Sequence, residues 1–424
     1  MPPLKSMLLI LALCFVSLQA TAEEFALQDG DTVGFLGDSI TAARGYSLLI
    51  ENYTLLRFPD RRVKFINLGI GGDTAVGGLA RLDRDVFANG VTVLTVAYGI
   101  NDIGWGARAD QEHKLAYLNA ITEIVRQCRS HNVRVYICSA AITGADPLKS
   151  EKEFLQTMCD EGMKLARENG GYSIDVQRTM REIQKRVWKA NETIKDPTKK
   201  ELLHFSDNIH LNDLGQTAMG YAILKGLGAP AEVSSVVIDA DKKQVISTIG
   251  CTAAELATTA NGLEFTRLDD GLPLNAETFF SLQYRFIPID TNMNRYLLKV
   301  QSLAAGNFEL IVDGRKVGRY TARELNEGVN IASATMDPWQ PGGPWDVQAN
   351  ELHALTLSRD KLSVSVERVK RQTTESAVDK QFLLEAERIN SSLEALQQIA
   401  AKPRPYHFVI QSCDPLITAT PTKK

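Results

Sequence analysis

From about residue 31 to 228 the chain alternates short β-branched runs with longer amphipathic stretches, and this alternation limits the possible folds more than any other feature. Candidate strands are Thr32–Leu36, Val63–Asn67, Val91–Ala97, Val133–Ser139 and Tyr172–Asp175. Helical stretches lie near 45–57, 76–87, 110–130, 149–168 and 177–188, with a last helix over about 212–226. Strand and helix in strict turn predict an α/β fold, a central parallel sheet covered by helices on both faces. Such sheets bind ligands beyond the carboxyl ends of their strands, so functional residues are expected just after strands.

After Gly228-Ala229-Pro230 the rhythm changes. Strand-like runs at Phe279–Ile287, Tyr296–Leu303, Phe308–Val312 and Lys316–Tyr320 are separated by turn signals, among them the hairpin dipeptide Asp313-Gly314. A Pro/Gly-rich stretch, Asp337–Pro344, leads into two apolar stripes. One comprises Leu352, Leu355, Leu362, Val366 and Val369; the other comprises Phe382, Ala386, Ile389, Leu393, Leu396 and Ala400. This spacing predicts an antiparallel helix pair, followed by a final strand at Tyr406–Gln411. The expected organisation is a leader at 1–22, an α/β domain at 23–230, a β-rich accessory domain at 231–344, and a helical hairpin with C-terminal strand at 345–424 packed on the accessory domain.

The leader rests on Lys5, the apolar run Met7–Leu18 and the small residues Ala20 and Ala22, which place cleavage after Ala22. Twelve apolar residues are too few to span a bilayer, which needs about 20. Leu13 before Cys14, and the apolar residues after it, argue against a lipoprotein. An exported protein, periplasmic or extracellular and without stable membrane insertion, is therefore expected. Five cysteines remain (Cys128, Cys138, Cys159, Cys251 and Cys413); an odd count without zinc-type spacing favours buried, apolar roles. With 44% hydrophobic and 23% charged residues the chain has the makings of folded cores, and a net charge of −4 gives no basic footprint for nucleic acid.

Four short blocks carry the chemistry. Gly34-Phe-Leu-Gly37-Asp38-Ser39-Ile40-Thr41 sets a serine at a strand-to-helix turn, where a helix N-terminus favours negative charge. An N-cap serine would look the same, and the G-x-S-x-G elbow is absent. Asn67-Leu-Gly69-Ile-Gly71-Gly72-Asp73-Thr74 lets backbone amides approach a ligand, but lacks the last glycine of a dinucleotide fingerprint and any G-K-[ST]. Helix capping by Asp73 or Thr74 is the alternative there. Tyr98-Gly99-Ile100-Asn101-Asp102 offers an asparagine amide or an ordinary turn. In Phe205-Ser206-Asp207-Asn208-Ile209-His210 a carboxylate three residues before a histidine can hold Nδ1–H and leave Nε2 to take a proton. His204, Asp207 and His210 could also read as metal ligands. Arg81-Leu-Asp83-Arg84-Asp85 reads as a solvated helix face with Arg81 paired to Asp85.

Taken in this order, the blocks GDS, N-x-G-x-x-G, G-x-N-D and D-x-x-H resemble the SGNH/GDSL hydrolase superfamily over roughly residues 30–228. The resemblance implies a flavodoxin-like three-layer sandwich and a serine esterase that needs neither metal nor organic cofactor. Residue by residue it implies Ser39 as nucleophile, His210 as general base and Asp207 as its orienting partner. The Ser39 amide, the Gly72 amide and the Asn101 side chain would form the oxyanion hole. Asp38 and Asp102 are expected to brace loops. GDSI in place of GDSL leaves the serine untouched.

Short connections and the absence of a long apolar insertion point to a short acyl group, and export points away from acyl-CoA. A carbohydrate O-deacetylase is the leading expectation for the ester substrate, with a lipase, lysophospholipase or arylesterase as alternative. Of another class are a non-catalytic glycan-binding protein and a glycosidase using Asp38 and Asp102. Trp339 and Trp345 are candidates either for a glycan platform or for interdomain packing.

Overall fold

The structure, a computed structural model, describes residues 25–149, 153–275, 280–337, 339, 342–370 and 376–413. The proposed leader lies outside them. The first half is built from β1 (Thr32–Gly37), α1 (Ser39–Ala42), α2 (Gly45–Arg57), β2 (Lys64–Gly69), α3 (Ala75–Ala80), β3 (Val93–Ala97) and α4 (Gln111–Ser130). It continues through β4 (Arg134–Cys138), α5 (Phe154–Glu168), β5 (Tyr172–Ile174), α6 (Val176–Asn191) and α7 (Asp213–Gly226). The five strands pair in parallel in the order β2-β1-β3-β4-β5, the flavodoxin-like order whose ligand crevice lies between the first and third strands. Pairing of Gly37 with both Gly69 and Ala97 aligns the carboxyl ends of β2, β1 and β3. The loops that follow these three strands, and so the first three motif blocks, begin side by side.

These strands are nearly continuous hydrophobic runs because both faces are covered. Val93, Leu94 and Val96 of β3 are fully buried, as are Val33 and Leu36 of β1. Glycine permits the closest approach: a Cβ on Gly69 would stand 2.2 Å from the backbone nitrogen of Ala42, so α1 lies directly against the end of β2. The helical stretch expected over 76–87 divides into α3 and a separate wide turn at Asp83–Phe87. Arg81 at the junction is buried and not solvated. It binds Asp73, Tyr98 and the Leu68 carbonyl as well as Asp85, and so holds the second block from beneath.

The second half contains β6 (Glu232–Asp239), β7 (Gln244–Ile249), β8 (Cys251–Thr259), β9 (Gly262–Asp269), α8 (Ile289–Asn292), β10 (Arg295–Gln301), β11 (Asn307–Val312) and β12 (Arg315–Thr321). After these come α9 (Ala322–Glu327), β13 (Val329–Asn330), α10 (Pro344–Lys370), α11 (Ala377–Ala401) and β14 (Tyr406–Ser412). Two sheets form, β13-β10-β6-β7 and β12-β11-β14-β9-β8, with the C-terminal strand in the middle of the second. The expected strand at Phe279–Ile287 is instead a tight helical turn over Phe280–Arg285. Phe286 and Ile287 amides both return to the Gln283 carbonyl, and spacings of four and three between Phe280, Tyr284 and Ile287 suit a helix as well as alternation suits a strand.

Trp345 is fully buried against Tyr296, Tyr406 and Phe408, with its indole N–H on the Ala332 carbonyl, while Trp339 is exposed. The hairpin α10–α11, expected on the accessory region, also runs along α2 of the first half. Arg44 binds Asp360 at 2.6 Å and Glu367 at 2.7 Å, and Arg359 binds Glu51 at 2.5 Å. Cys128, Cys138, Cys159 and Cys251 are buried free thiols and Cys413 is exposed. Among the described residues no helix is long and apolar enough to cross a membrane.

Candidate active site

Ser39 opens α1 immediately beyond β1. Asp38 caps the helix by accepting from the Ile40 amide at 2.9 Å, which leaves the Ser39 amide among the first-turn donors that have no intrahelical partner. The serine Oγ lies 2.9 Å from His210 Nε2, across 171 residues of sequence. His210 Nδ1 lies 2.6 Å from Asp207 Oδ2, while Asp207 Oδ1 accepts the amides of Ile209 and His210, each at 2.9 Å. Asn208 completes this tight turn in left-handed backbone (φ 60°), a conformation asparagine tolerates better than most residues. The hydrogen bond from His210, followed by those two amides, holds the Asp207 carboxyl down at about 2. Serine, imidazole and carboxylate are thus brought together in a relay able to draw the hydroxyl proton toward a base.

The second and third blocks flank this relay and are tied to each other. Asn101 Nδ2 donates to the Asp73 carbonyl at 3.0 Å, and the Ala75 amide donates to Asp102 Oδ1 at 2.9 Å. Thr74, not Asp73, caps α3. Gly72 sits at φ 76°, exposed, with no neighbour where a Cβ would be, and its amide is engaged by no described residue. Asp38 and Asp102 are buried, and burial pushes each carboxyl up to about 6. Their hydrogen bonds go to backbone amides of α1 and α3, which is a bracing geometry.

His204 does not join Asp207 and His210 in a ligand cluster. Its ring is buried with Nε2 on the Ile142 carbonyl at 2.9 Å, and burial lowers its pKa. Asp207 and His210 pair with each other instead, and among the described residues no group of three or more His, Cys, Asp or Glu side chains is placed to hold a metal. One residue at the site was not anticipated: Trp105, half-exposed, stands edge-on to His210 with ring centroids 5.6 Å apart. The only signal for it was a bulky residue between two glycines just after the G-x-N-D block. A cavity of about 340 Å³ adjoins the loop bearing Asp207 and is lined by Trp188, Leu202, His204 and Asn208 among others.

The doubly covered parallel sheet and the motif blocks at its carboxyl edge are those of the SGNH hydrolase fold. Residues 35–218 match the GDSL-like lipase/acylhydrolase family; the chain carries a hydrolase domain of that family and is a carboxylic ester hydrolase by class. No curated protein matches it in sequence. Among solved structures, BT4096, described as a gut microbial diltiazem-metabolizing enzyme, superposes with a TM-score of 0.77 at 22% identity, covering 91% of this chain and 98% of its own. That likeness in fold extends through the C-terminal half. Axe2, an acetylxylan esterase from Geobacillus stearothermophilus, matches at 18% identity over 48% of this chain and 96% of its own, with a TM-score of 0.40. The acetyl xylan esterase AlAXEase matches at 22% identity over 46% and 98%, with a TM-score of 0.39.

Proposed function

We propose that the chain is an exported serine esterase that removes short acyl groups, acetyl foremost, from carbohydrate esters. The observation that carries the reading is the continuous relay Ser39 Oγ, His210, Asp207, with contacts of 2.9 and 2.6 Å. Ser39 Oγ attacks the ester carbonyl carbon as its proton passes to His210 Nε2. The tetrahedral oxyanion is met by the amides of Ser39 and Gly72 and by the Asn101 side chain, each donor contributing about 3 kcal/mol to lowering the barrier. Collapse expels the alcohol, which takes the proton from His210. A water molecule, deprotonated by the same nitrogen, then releases the acid and restores Ser39. Asp207 stays a carboxylate throughout, orients Nδ1–H and stabilises the transient imidazolium.

The substrate class is supported by the adjoining cavity, whose lining includes the half-exposed Trp188 together with the polar Asn191 and Glu192. An indole face with polar neighbours suits a sugar ring. Export is supported by the leader at 1–22. The test is hydrolysis of a 4-nitrophenyl ester series, acetate through palmitate, followed by mono-O-acetylated pyranosides, using the protein and its Ser39→Ala variant. Ser39-dependent turnover falling steeply beyond butyrate, with acetate released from the glycosides, is expected. A preference for long chains would replace the deacetylase with a lipase, and turnover unaffected by Ser39→Ala would end the reading altogether.

A further inference from the structure

Trp105 lies outside every motif that led to the site, yet it occupies one of the less favourable backbone positions in the chain. Its φ is 58°, between Gly104 at 53° and Gly106 at 97°, and left-handed backbone is rare for a bulky residue. Backbone hydrogen bonds donated by the Trp105 N–H to the Ile100 carbonyl and by the Gly106 N–H to the Ile103 carbonyl hold the turn. Core packing does not account for the ring, since it is 52% exposed. What the ring does touch is specific. Its Nε1–H donates to Asn101 Oδ1 at 2.8 Å, and its plane stands at 78° to that of His210.

A carboxamide has two ends of almost equal size, and only its partners decide which way it points. An indole N–H can only donate, so it selects Oδ1; the Asp73 carbonyl can only accept, so it selects Nδ2, at 3.0 Å. Nδ2 carries two protons, and Asp73 takes one. The second is left for a ligand. Were the indole absent, the single bond to the Asp73 carbonyl would still fix which end is Nδ2, but the amide could swing about that one contact, and its second proton would face the ligand only part of the time.

We infer that Trp105 is a positioning residue for the esterase reaction: its indole N–H locks the Asn101 carboxamide so that the second Nδ2 proton always faces the developing oxyanion. The inference rests on the role proposed above for Asn101. Trp105→Phe tests it, because it removes the N–H while keeping an aromatic, though smaller, ring beside His210. With 4-nitrophenyl acetate, Trp105→Phe is expected to lower kcat about tenfold with KM within about twofold, and Asn101→Ala to lower kcat about a hundredfold. The double variant should be no slower than Asn101→Ala alone, because the indole acts only through that side chain. An unchanged kcat in Trp105→Phe, or losses that add in full, would overturn the inference while leaving the oxyanion hole intact. An unaffected Asn101→Ala would remove the Asn101 assignment, and the inference with it. Should phenylalanine not fold at this backbone, Trp105→Gly suits the left-handed turn; since it also removes the ring beside His210, it is expected to cost more with Asn101 present than in the Asn101→Ala background, and equal losses in the two backgrounds would overturn the inference.

Discussion

Replacing Asp207 with asparagine changes one heavy atom, and the turn around it makes that change severe. Oδ1 accepts two backbone amides, those of Ile209 and His210, both at 2.9 Å. Only the oxygen of an asparagine can satisfy them, so the new NH₂ must occupy the position of Oδ2, 2.6 Å from His210 Nδ1. A donor there requires Nδ1 to accept, which moves the imidazole proton to Nε2. That nitrogen faces Ser39 Oγ at 2.9 Å and is then unable to act as its base. The expected loss in kcat is about 10⁴-fold, or about 5.5 kcal/mol of barrier. Asp207→Ala imposes no tautomer, and because the Asp207 side chain is 36% exposed water can enter beside Nδ1; its loss should be about tenfold smaller. The assay is steady-state hydrolysis of 4-nitrophenyl acetate with Ser39→Ala as background, and thermal unfolding confirms that both variants fold. An asparagine variant retaining more than about one hundredth of kcat would refute the argument.

Three further outcomes follow from the packing. Gly69→Ala should destabilise the protein in urea by about 3 kcal/mol and lower activity as well, because its Cβ would meet the Ala42 nitrogen at 2.2 Å and the Thr41 carbonyl carbon at 2.6 Å and so displace α1; a neutral effect would contradict the close contact. Arg44→Ala removes the ion pairs that Arg44 makes with Asp360 and Glu367, and since Glu367 is partly solvated the cost should be about 2 kcal/mol, read as a lower urea midpoint. Burial raises the Asp346 carboxyl from 3.8 to about 7, so the folded state holds a proton there that the unfolded state has already released. Stability from this group should therefore fall by about 4 kcal/mol as pH rises from about 4 to 7, and Asp346→Asn should flatten that slope in urea titrations at pH 4, 5.5 and 7.

How far the sequence could be read depended on whether the signal was local. The parallel strands were legible because most are short runs rich in β-branched and apolar residues, such as Val91–Ala97, set between amphipathic helical stretches. Ser39, Asp207 and His210 were legible because each sits in a short motif at a strand end or before a helix. The strands from 232 to 269 were not resolved individually, because β7 and β8 are exposed and rich in Thr, Ser and Ala, so little hydrophobic alternation marks them. The burial of Arg81 was not legible because its partners come from two other motif blocks, Leu68 and Asp73 from the second and Tyr98 from the third. Of the hairpin's second stripe, Ala386 is buried whereas Phe382, Ile389 and Leu396 are exposed; the buried Gln397 instead reaches Glu51 and Thr356. Periodicity finds an apolar face on a helix but does not say whether that face is the one covered.

Ser39 acts as a nucleophile only if it forms a covalent bond to the acyl group that is removed. A fluorophosphonate probe followed by peptide mass spectrometry tests this without knowledge of the natural substrate, since the probe reacts only with a serine activated by a neighbouring base. A single adduct on the peptide containing Ser39, absent in Ser39→Ala and strongly reduced in His210→Ala, is the predicted result. An unlabelled protein, or an adduct on another serine that survives in Ser39→Ala, would contradict it.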